Sequence, residues 1–396
     1  MEVGKPKSIT YLTVYSVTGL SQACMFIYLG IMPFLFTEFG VDTVTFGYIM
    51  SAAAFLQLCA SPLLGRLADS IGSRSVLIIC MISASATHFI MGIAWSVPLL
   101  ILSKFAGVVM DCLPVSQMAI TDMTPEADRS YYLGKLMIPM SVAMILGPPI
   151  GGFLSTYIGN QGTLQLTWIL PLLAIVPIWM FIPETKKAKT EEKEEKKGGI
   201  DWKKAKELIT KGDVPYVLTM RFLVAFPAML FMMNFQLAGV TVFKLNAEGL
   251  GILGAGMGIV NLLNGMFVLS WISSKLNKDQ MLKAAGVLTV ITYAFLTICT
   301  EVWQLAIALC LVVVSYSLAD NELTAAVSAS VDQKDSSTML GISMAIFHLC
   351  RTLSPTAGGA LLQNYGFYSI GLVGTFVSLF AAALPFLKGE SKQKTS

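Results

Sequence analysis

The sequence predicts an all-α integral membrane protein with twelve transmembrane helices in two six-helix repeats and both termini cytoplasmic. Three observations carry that fold class. The 396 residues are 55% hydrophobic and 13% charged, with a mean hydropathy of +0.70, whereas soluble domains average about 25% charged residues. Stretches 136–183 and 352–387 hold no charged side chain, and each has room for two helical spans of roughly 20 residues. A proline–glycine cluster in the first half also returns in the second at a constant offset.

Taken in order, the spans fall at 9–37, 45–64, 75–95, 98–121, 133–157, 163–182, 214–242, 248–271, 281–299, 302–328, 336–362 and 367–387. Gly159-Asn160-Gln161-Gly162 supplies the turn between the fifth and sixth, and Asn364-Tyr365-Gly366 the turn between the last two. A β-barrel would instead alternate polar and apolar residues in segments of about ten. The opening MEVGKPK leads into a long span containing Thr, Tyr and Gln. It lacks the short apolar region and cleavage site of a signal peptide, so the first span is expected to be retained. The seven cysteines all fall inside spans and form no CxxC pair, and there are two histidines. Neither a disulfide framework nor a metal site is expected.

This divides the chain into an N-terminal half (1–182), a charged cytoplasmic linker (183–213) and a C-terminal half (214–396). The linker run PETKKAKTEEKEEKKGG has the composition of a disordered segment. DWKKAKELITK, residues 201–211, follows and places Trp202, Ala205, Leu208 and Ile209 on one face, as in a helix lying on a membrane surface. Basic residues set the orientation. Twenty-three Lys and Arg fall on the side of the termini and linker, Lys244 alone on the other, and Lys104, Arg221 and Arg351 within or at the edge of spans. Such a bias makes the terminal side cytoplasmic.

The repeated cluster is LGPPIGG (146–152) and LSPTAGG (353–359). Gly134, Gly147, Pro148, Gly151 and Gly152 recur as Gly341, Ser354, Pro355, Gly358 and Gly359, and Asp128 as Asp335, every member shifted by 207. Proline bends a helix and paired glycines let a neighbour approach closely. Internal repeats with a site at their interface are the architecture of secondary transporters.

At this point the sequence resembles the major facilitator superfamily across residues 9–388. GRLADSIGSRSVL (65–77) is similar to the family's signature loop between the second and third helices, with Gly65, Leu67, Ala68, Asp69, Gly72, Arg74 and Leu77 matching and Ser70 and Ser73 at two usually basic positions. The fifth span resembles the drug–proton antiporter motif through Gly134, Gly147, Pro148, Gly151 and Gly152, with Ala143 for its middle glycine. PETK (183–186) is a looser match to a pattern ending the sixth helix. PVSQMAITD (114–122), GDVP (212–215) and STMLGISMAIFHLCRTLSPTAGG (337–359) resemble the organic-cation-transporter-like branch of solute carrier family 22, which groups with tetracycline-type proton antiporters. The resemblance implies the major facilitator fold and a polyspecific, proton-linked exporter of cationic or amphiphilic compounds. It also implies that the loop carrying Asp69, with Arg74 and Arg129, latches against the start of the eleventh helix.

Ionisable groups inside a bilayer are costly and are functional candidates by default. Asp111 lies midway along the fourth span; Asp320 and Glu322 lie deep in the tenth. The spacings from Lys104 to Asp111 and on to Asp122 return near one face of a continuous helix. A carboxyl group in apolar surroundings favours its neutral form and exchanges protons near neutral pH; it also pairs with a cation. Asp111 is the leading proton or cation site, with Asp320 or Glu322 complementary and Lys104 and Arg351 as charged partners. The alternative is a structural acid paired with Lys104, Arg351 or a backbone donor. His88 reads as a packed residue; His348 is left open between packing and titration. Gln22, Gln117 and Asn261 are the cavity candidates, because amides within spans need partners.

No Walker motif, nucleotide site or catalytic triad occurs, so enzyme, ATP-driven pump and nucleic-acid-binding functions have no support. The expected partners are a small-molecule substrate, protons and lipid, with no cofactor. The competing readings are a facilitative or cotransport carrier of a metabolite or lipid-like solute, and a receptor or scaffold that kept the fold without transport.

Overall fold

The computed structural model describes residues 8–125, 128–184, 207–210, 212–331 and 335–393, and all regular structure among them is helical. α1 (Ser8–Glu38), α2 (Thr43–Ile71) and α3 (Ser73–Gly92) follow the first three expected spans. Asp42 opens α2: its carboxylate accepts the Thr45 N–H at 2.8 Å and the Thr45 hydroxyl at 2.9 Å. These bonds hold the Asp42 carboxyl below its usual range. Gly72 separates α2 from α3 with φ +93°, a conformation that glycine adopts without steric cost.

The fourth span differs from expectation. It is not one helix over 98–121 but α4 (Val97–Ala106) and α5 (Leu113–Met123), with a non-helical break between them. Two donors are missing from the ladder there. The Leu113 N–H is taken by the Asp111 side chain at 3.1 Å, and Pro114 has no N–H to give. The face shared by Lys104 and Asp111 on a continuous helix therefore does not exist.

α6 (Arg129–Thr167) runs into α7 (Ile169–Phe181), but Gly159 within α6 is non-helical, with φ +78° and ψ 167°. This is the position of the turn expected between the fifth and sixth spans. Then come α8 (Val214–Thr241), α9 (Ala247–Leu263), a π-helical turn (Asn264–Val268) and α10 (Leu269–Ser273). α11 (Lys278–Thr297) and α12 (Val302–Ala329) each start with a capping box, Asn277 with Gln280 and Glu301 with Gln304. α13 (Ser336–Tyr365) and α14 (Tyr368–Gln393) complete the chain. Of the expected surface helix at 201–211, residues 207–210 are helical with Leu208 buried; the rest, and linker residues 185–200, lie outside the described residues.

Among the described residues, nine helical runs are long and apolar enough to cross a membrane, and the chain is a multi-pass membrane protein. One run, Tyr131–Phe181, has 51 residues, more than twice the roughly 20 that one crossing takes. The fourth span falls outside the nine because its break leaves the ten-residue α4. α13 also falls outside; it carries His348 and Arg351 among many Ser, Thr and Gly residues.

The chain divides into two packed units. The first comprises residues 1–41, 52–193 and 245–258; the second comprises 42–51, 194–244 and 259–396. In the first, α1 packs along α6 and α7, and α3 against α4, α6 and α7, around a core that includes Val76, Leu77, Cys80, Met81, Cys112 and Ile120. In the second, α8 packs on α13 and α11 on α12 and α14, with Met220, Val224, Ala285 and Leu323 inside. Five cysteines are buried, Cys310 is half-buried and Cys59 is exposed.

Candidate functional site

Asp111 sits in the break between α4 and α5, half-buried. One carboxylate oxygen, Oδ1, accepts both the Leu113 N–H and, at 3.2 Å, the amide of Gln22 from α1. Gln22 is 4% exposed. Both donors are neutral, and no cation pairs with the carboxylate among the described residues. A break inside a span frees backbone polar groups that are tolerated only where protein or water receives them.

Lys104, the last-turn cation of α4, is buried at 6% exposure. It donates to the Tyr28 hydroxyl and contacts the Met32 sulfur at 2.6 Å. Its ammonium also lies 4.6 Å from the Tyr28 ring centroid and 5.4 Å from that of Phe36. These partners recur every four residues along α1, so Lys104 spends its charge on that helix and not on Asp111. His88 of α3 is fully buried, its ring 5.6 Å from that of Tyr28. Neither of its ring nitrogens has a hydrogen-bond partner among the described residues.

In the second unit, Asp320 of α12 pairs with Arg221 of α8. Tyr316, one turn earlier on α12, donates to Asp320 Oδ1 at 2.9 Å. Glu322 is half-buried two residues on, about 200° around the helix from Asp320, so the two acids do not share a face. Arg351 is half-buried on α13. Gln117 and Asn261 are exposed on α5 and α9, whereas Asn264, opening the π turn, is buried with neither amide atom hydrogen-bonded among the described residues.

The loop between α2 and α3 is tied to the end of α7. Arg74 Nε donates to Glu184 at 3.0 Å, and the Ser75 hydroxyl donates to the same oxygen at 3.0 Å. Glu184 also fills the space beside Gly72 where a side chain would stand. Ser73 donates to Asp122 at 3.0 Å. Gly65 has nothing within 4 Å of a notional Cβ, Asp69 is exposed, and Arg129 Nε bonds the Thr124 carbonyl at 3.3 Å.

The two proline–glycine clusters make matched helix crossings, one inside each unit. A Cβ at Gly251 of α9 would stand 2.5 Å from the Pro148 carbonyl oxygen, and a Cβ at Gly47 of α2 would meet the Pro355 carbonyl oxygen in the same way. Conversely, Gly152 abuts the Ala247 backbone and Gly359 the Thr43 backbone. Gly151 abuts Ile27, and Gly358 abuts Asn234, again 207 residues on. Gly147 faces Phe26 and Ala23, while Gly134 and Gly341 both face open space. Among the described residues, polar bonds lace the second crossing and not the first: the Thr43 hydroxyl donates to the Gly359 carbonyl (3.1 Å), the Val44 N–H to the Gln363 side-chain oxygen (3.1 Å), and the Thr356 hydroxyl to Ser51 (2.7 Å).

Arg221 and Glu184 are the two residues whose roles sequence reasoning missed. Nothing local pairs Arg221 with an acid 99 positions away. Glu184 carried a signal, being the first charge after the long apolar stretch that ends at 183.

A carboxylate in an interrupted helix, a buried ion pair and glycine-lined crossings repeated in both units define a secondary solute carrier. The chain belongs to the Major Facilitator Superfamily, whose profile matches residues 14–319, and it is a transporter by family and fold. Mouse Solute carrier family 22 member 18 is 30% identical over 404 residues, 98% of each chain. Tetracycline resistance protein, class E, of Escherichia coli is 35% identical over 127 residues, 31% of each chain. A bacterial homolog of the human lysosomal transporter Spinster, solved in an inward-facing, unoccupied conformation, shares the fold with a TM-score of 0.74 over 98% of each chain at 15% identity.

Proposed function

We propose that this carrier exchanges protons for organic cations or amphiphilic drug-like compounds by alternating access. It does so through twelve spans with both termini cytoplasmic, arranged as halves 1–182 and 214–396 joined by the linker 183–213. The observation that carries the reading is Asp111, a carboxylate in a broken membrane helix held by the neutral donors Gln22 and Leu113. With no cation among the described residues fixed beside it, the carboxylate takes either a proton or a cationic solute, and each excludes the other. Loaded with either, it is neutral. Empty, it is an unpaired charge that is expensive to carry through a low-dielectric interior. Only loaded states therefore change conformation readily, and that restriction is what couples the two fluxes.

Lys104, held by Tyr28 and Met32, is a second exchangeable group, and Asp320, Glu322 and Arg351 complement it in the other half. Gln22, Gln117 and Asn261 meet polar groups of the cargo. The Gly65–Arg74 loop, tied to Glu184, and Arg129 brace the cytoplasmic side. The proline–glycine crossings give the rocking halves rigid seams. Similarity to a tetracycline resistance protein supports a drug-like cargo, and the excess of basic residues on the terminal side supports the orientation.

The test uses wild type and Asp111→Asn in liposomes with an acidic interior and ethidium outside. Wild type accumulates ethidium in proportion to the pH gradient, and Asp111→Asn loses gradient-driven accumulation while eluting as a folded protein. Unchanged accumulation by the variant removes the assignment.

A further inference from the structure

Exchange at Asp111 does not by itself use the Arg221–Asp320 pair of the second unit. The Arg221 side chain is 2% exposed, and its partner Asp320 is 30% exposed. Arg221 and Tyr316 both donate to Oδ1 of Asp320, so neither of these bonds uses Oδ2. The Nε–H of Arg221 is buried and has no acceptor among the described residues. The core cluster against which Tyr316 packs is apolar, with Met281 and Ala285 from α11 and Met220 and Val224 from α8. Cys350 of α13 is near enough to interact with both Arg221 and Tyr316. His348 and Arg351 interact with each other on that helix, and Glu322 lies on another face of α12. Among the described residues, Asp320 is the one carboxylate paired with the guanidinium.

We propose that Arg221, Tyr316 and Asp320 form a subsite for a solute carboxylate, opened when Asp320 takes a proton. Arginine keeps its charge at every accessible pH. Once Asp320 is neutral, a buried guanidinium is left without a counter-charge, and a ligand carboxylate supplies it. The guanidinium presents parallel N–H donors suited to a carboxylate, and the idle Nε–H is one of them. Tyr316, released from a neutral acid, donates to the ligand.

The charge balance closes. The empty site holds Arg⁺ and Asp⁻; the loaded site holds Arg⁺, neutral Asp and the ligand carboxylate. Both are neutral overall, so neither state carries a net charge through the interior. A proton and an organic anion, or the acidic end of a zwitterion, move together. This goes beyond exchange at Asp111 and does not depend on it.

Benzoate is the probe, titrated calorimetrically into the purified full chain at about pH 5.5 and about pH 7.5, both above the range in which a simple carboxylic acid ionises. Wild type is expected to bind at least about fivefold tighter at the lower pH, within the usual range of coupling between two sites. Linkage then requires protons to be taken up when benzoate is added in weak buffer. Asp320→Asn binds at both pH values with the dependence gone. The double variant Arg221→Gln/Asp320→Asn, which leaves a neutral pair to preserve folding, does not bind. Asp111→Asn retains the wild-type pattern, so failure here is separable from failure of the cation site. Benzoate binding by wild type that ignores pH, or pH-dependent binding that survives in the double variant, overturns the proposal. Should Asp320→Asn not fold, wild-type proton uptake and the double variant still decide it.

Discussion

Adding one methyl group at Gly251 or Gly47 is the sharpest structural perturbation available. The new Cβ at Gly251 would stand 2.5 Å from the Pro148 carbonyl oxygen and 3.0 Å from its carbon; at Gly47 the Pro355 carbonyl carbon is also 3.0 Å away. A carbon–oxygen contact needs at least about 3.3 Å, so the facing helix must retreat by roughly 0.8 Å. The obstacle is backbone, so no rotamer change relieves it. A gap of that size forfeits a quarter to a half of each dispersion contact along the crossing, and overpacking of this kind costs about 1–3 kcal/mol. Gly134 and Gly341 supply the opposite sign. Nothing lies within 4 Å of a Cβ at either, so alanine there gains helix propensity, up to about 1 kcal/mol. Thermal unfolding of the four purified alanine variants is the assay. Gly47→Ala and Gly251→Ala should melt below wild type, and Gly134→Ala and Gly341→Ala at or above it. Crossing variants as stable as the open-face variants would refute the matched-crossing geometry.

Other outcomes follow from named contacts. Asp42→Ala removes the cap of α2 and should cost about 0.5–2 kcal/mol locally, seen as faster amide exchange at Thr45 and Phe46. Because hydrogen bonding holds the folded Asp42 carboxyl below its usual range, the cap is fully present above about pH 4 and is lost as pH falls through the lower folded value. Unchanged exchange in the variant would contradict the capping role. Arg74→Gln and Glu184→Gln each break the bond between the α2–α3 loop and the end of α7. The double variant should be no less stable than the worse single one, a non-additivity of about 1 kcal/mol in a double-mutant cycle; simple additivity would mean the pair contributes nothing.

Composition and charge placement made the membrane class legible, because a bilayer leaves so few options for backbone hydrogen bonds. The 207-residue shift was legible too, since glycine and proline at fixed spacing mark backbone geometry. The same shift reappears in space in Gly151 against Ile27 and Gly358 against Asn234. The break at Asp111 was hidden by apolar continuity, although DCLP (111–114) held its cause: an acid able to take the N–H two residues on, followed by a proline. That break takes Lys104 and Asp111 off any shared helical face. Lys104 turned instead to Tyr28, Met32 and Phe36 of α1, a choice made by tertiary packing. Arg221 with Asp320 is a contact between α8 and α12 that no local spacing encodes.

The central claim, exchange of a proton for an organic cation, is tested most directly by following both species at once. Proteoliposomes loaded with tetraphenylphosphonium and a pH-sensitive dye are diluted into probe-free buffer of equal pH, with the membrane voltage clamped. Outward movement of the cation should drive protons inward, acidifying the lumen against protein-free vesicles. Cation efflux with an unchanged lumenal pH, or with protons leaving alongside it, would contradict the account.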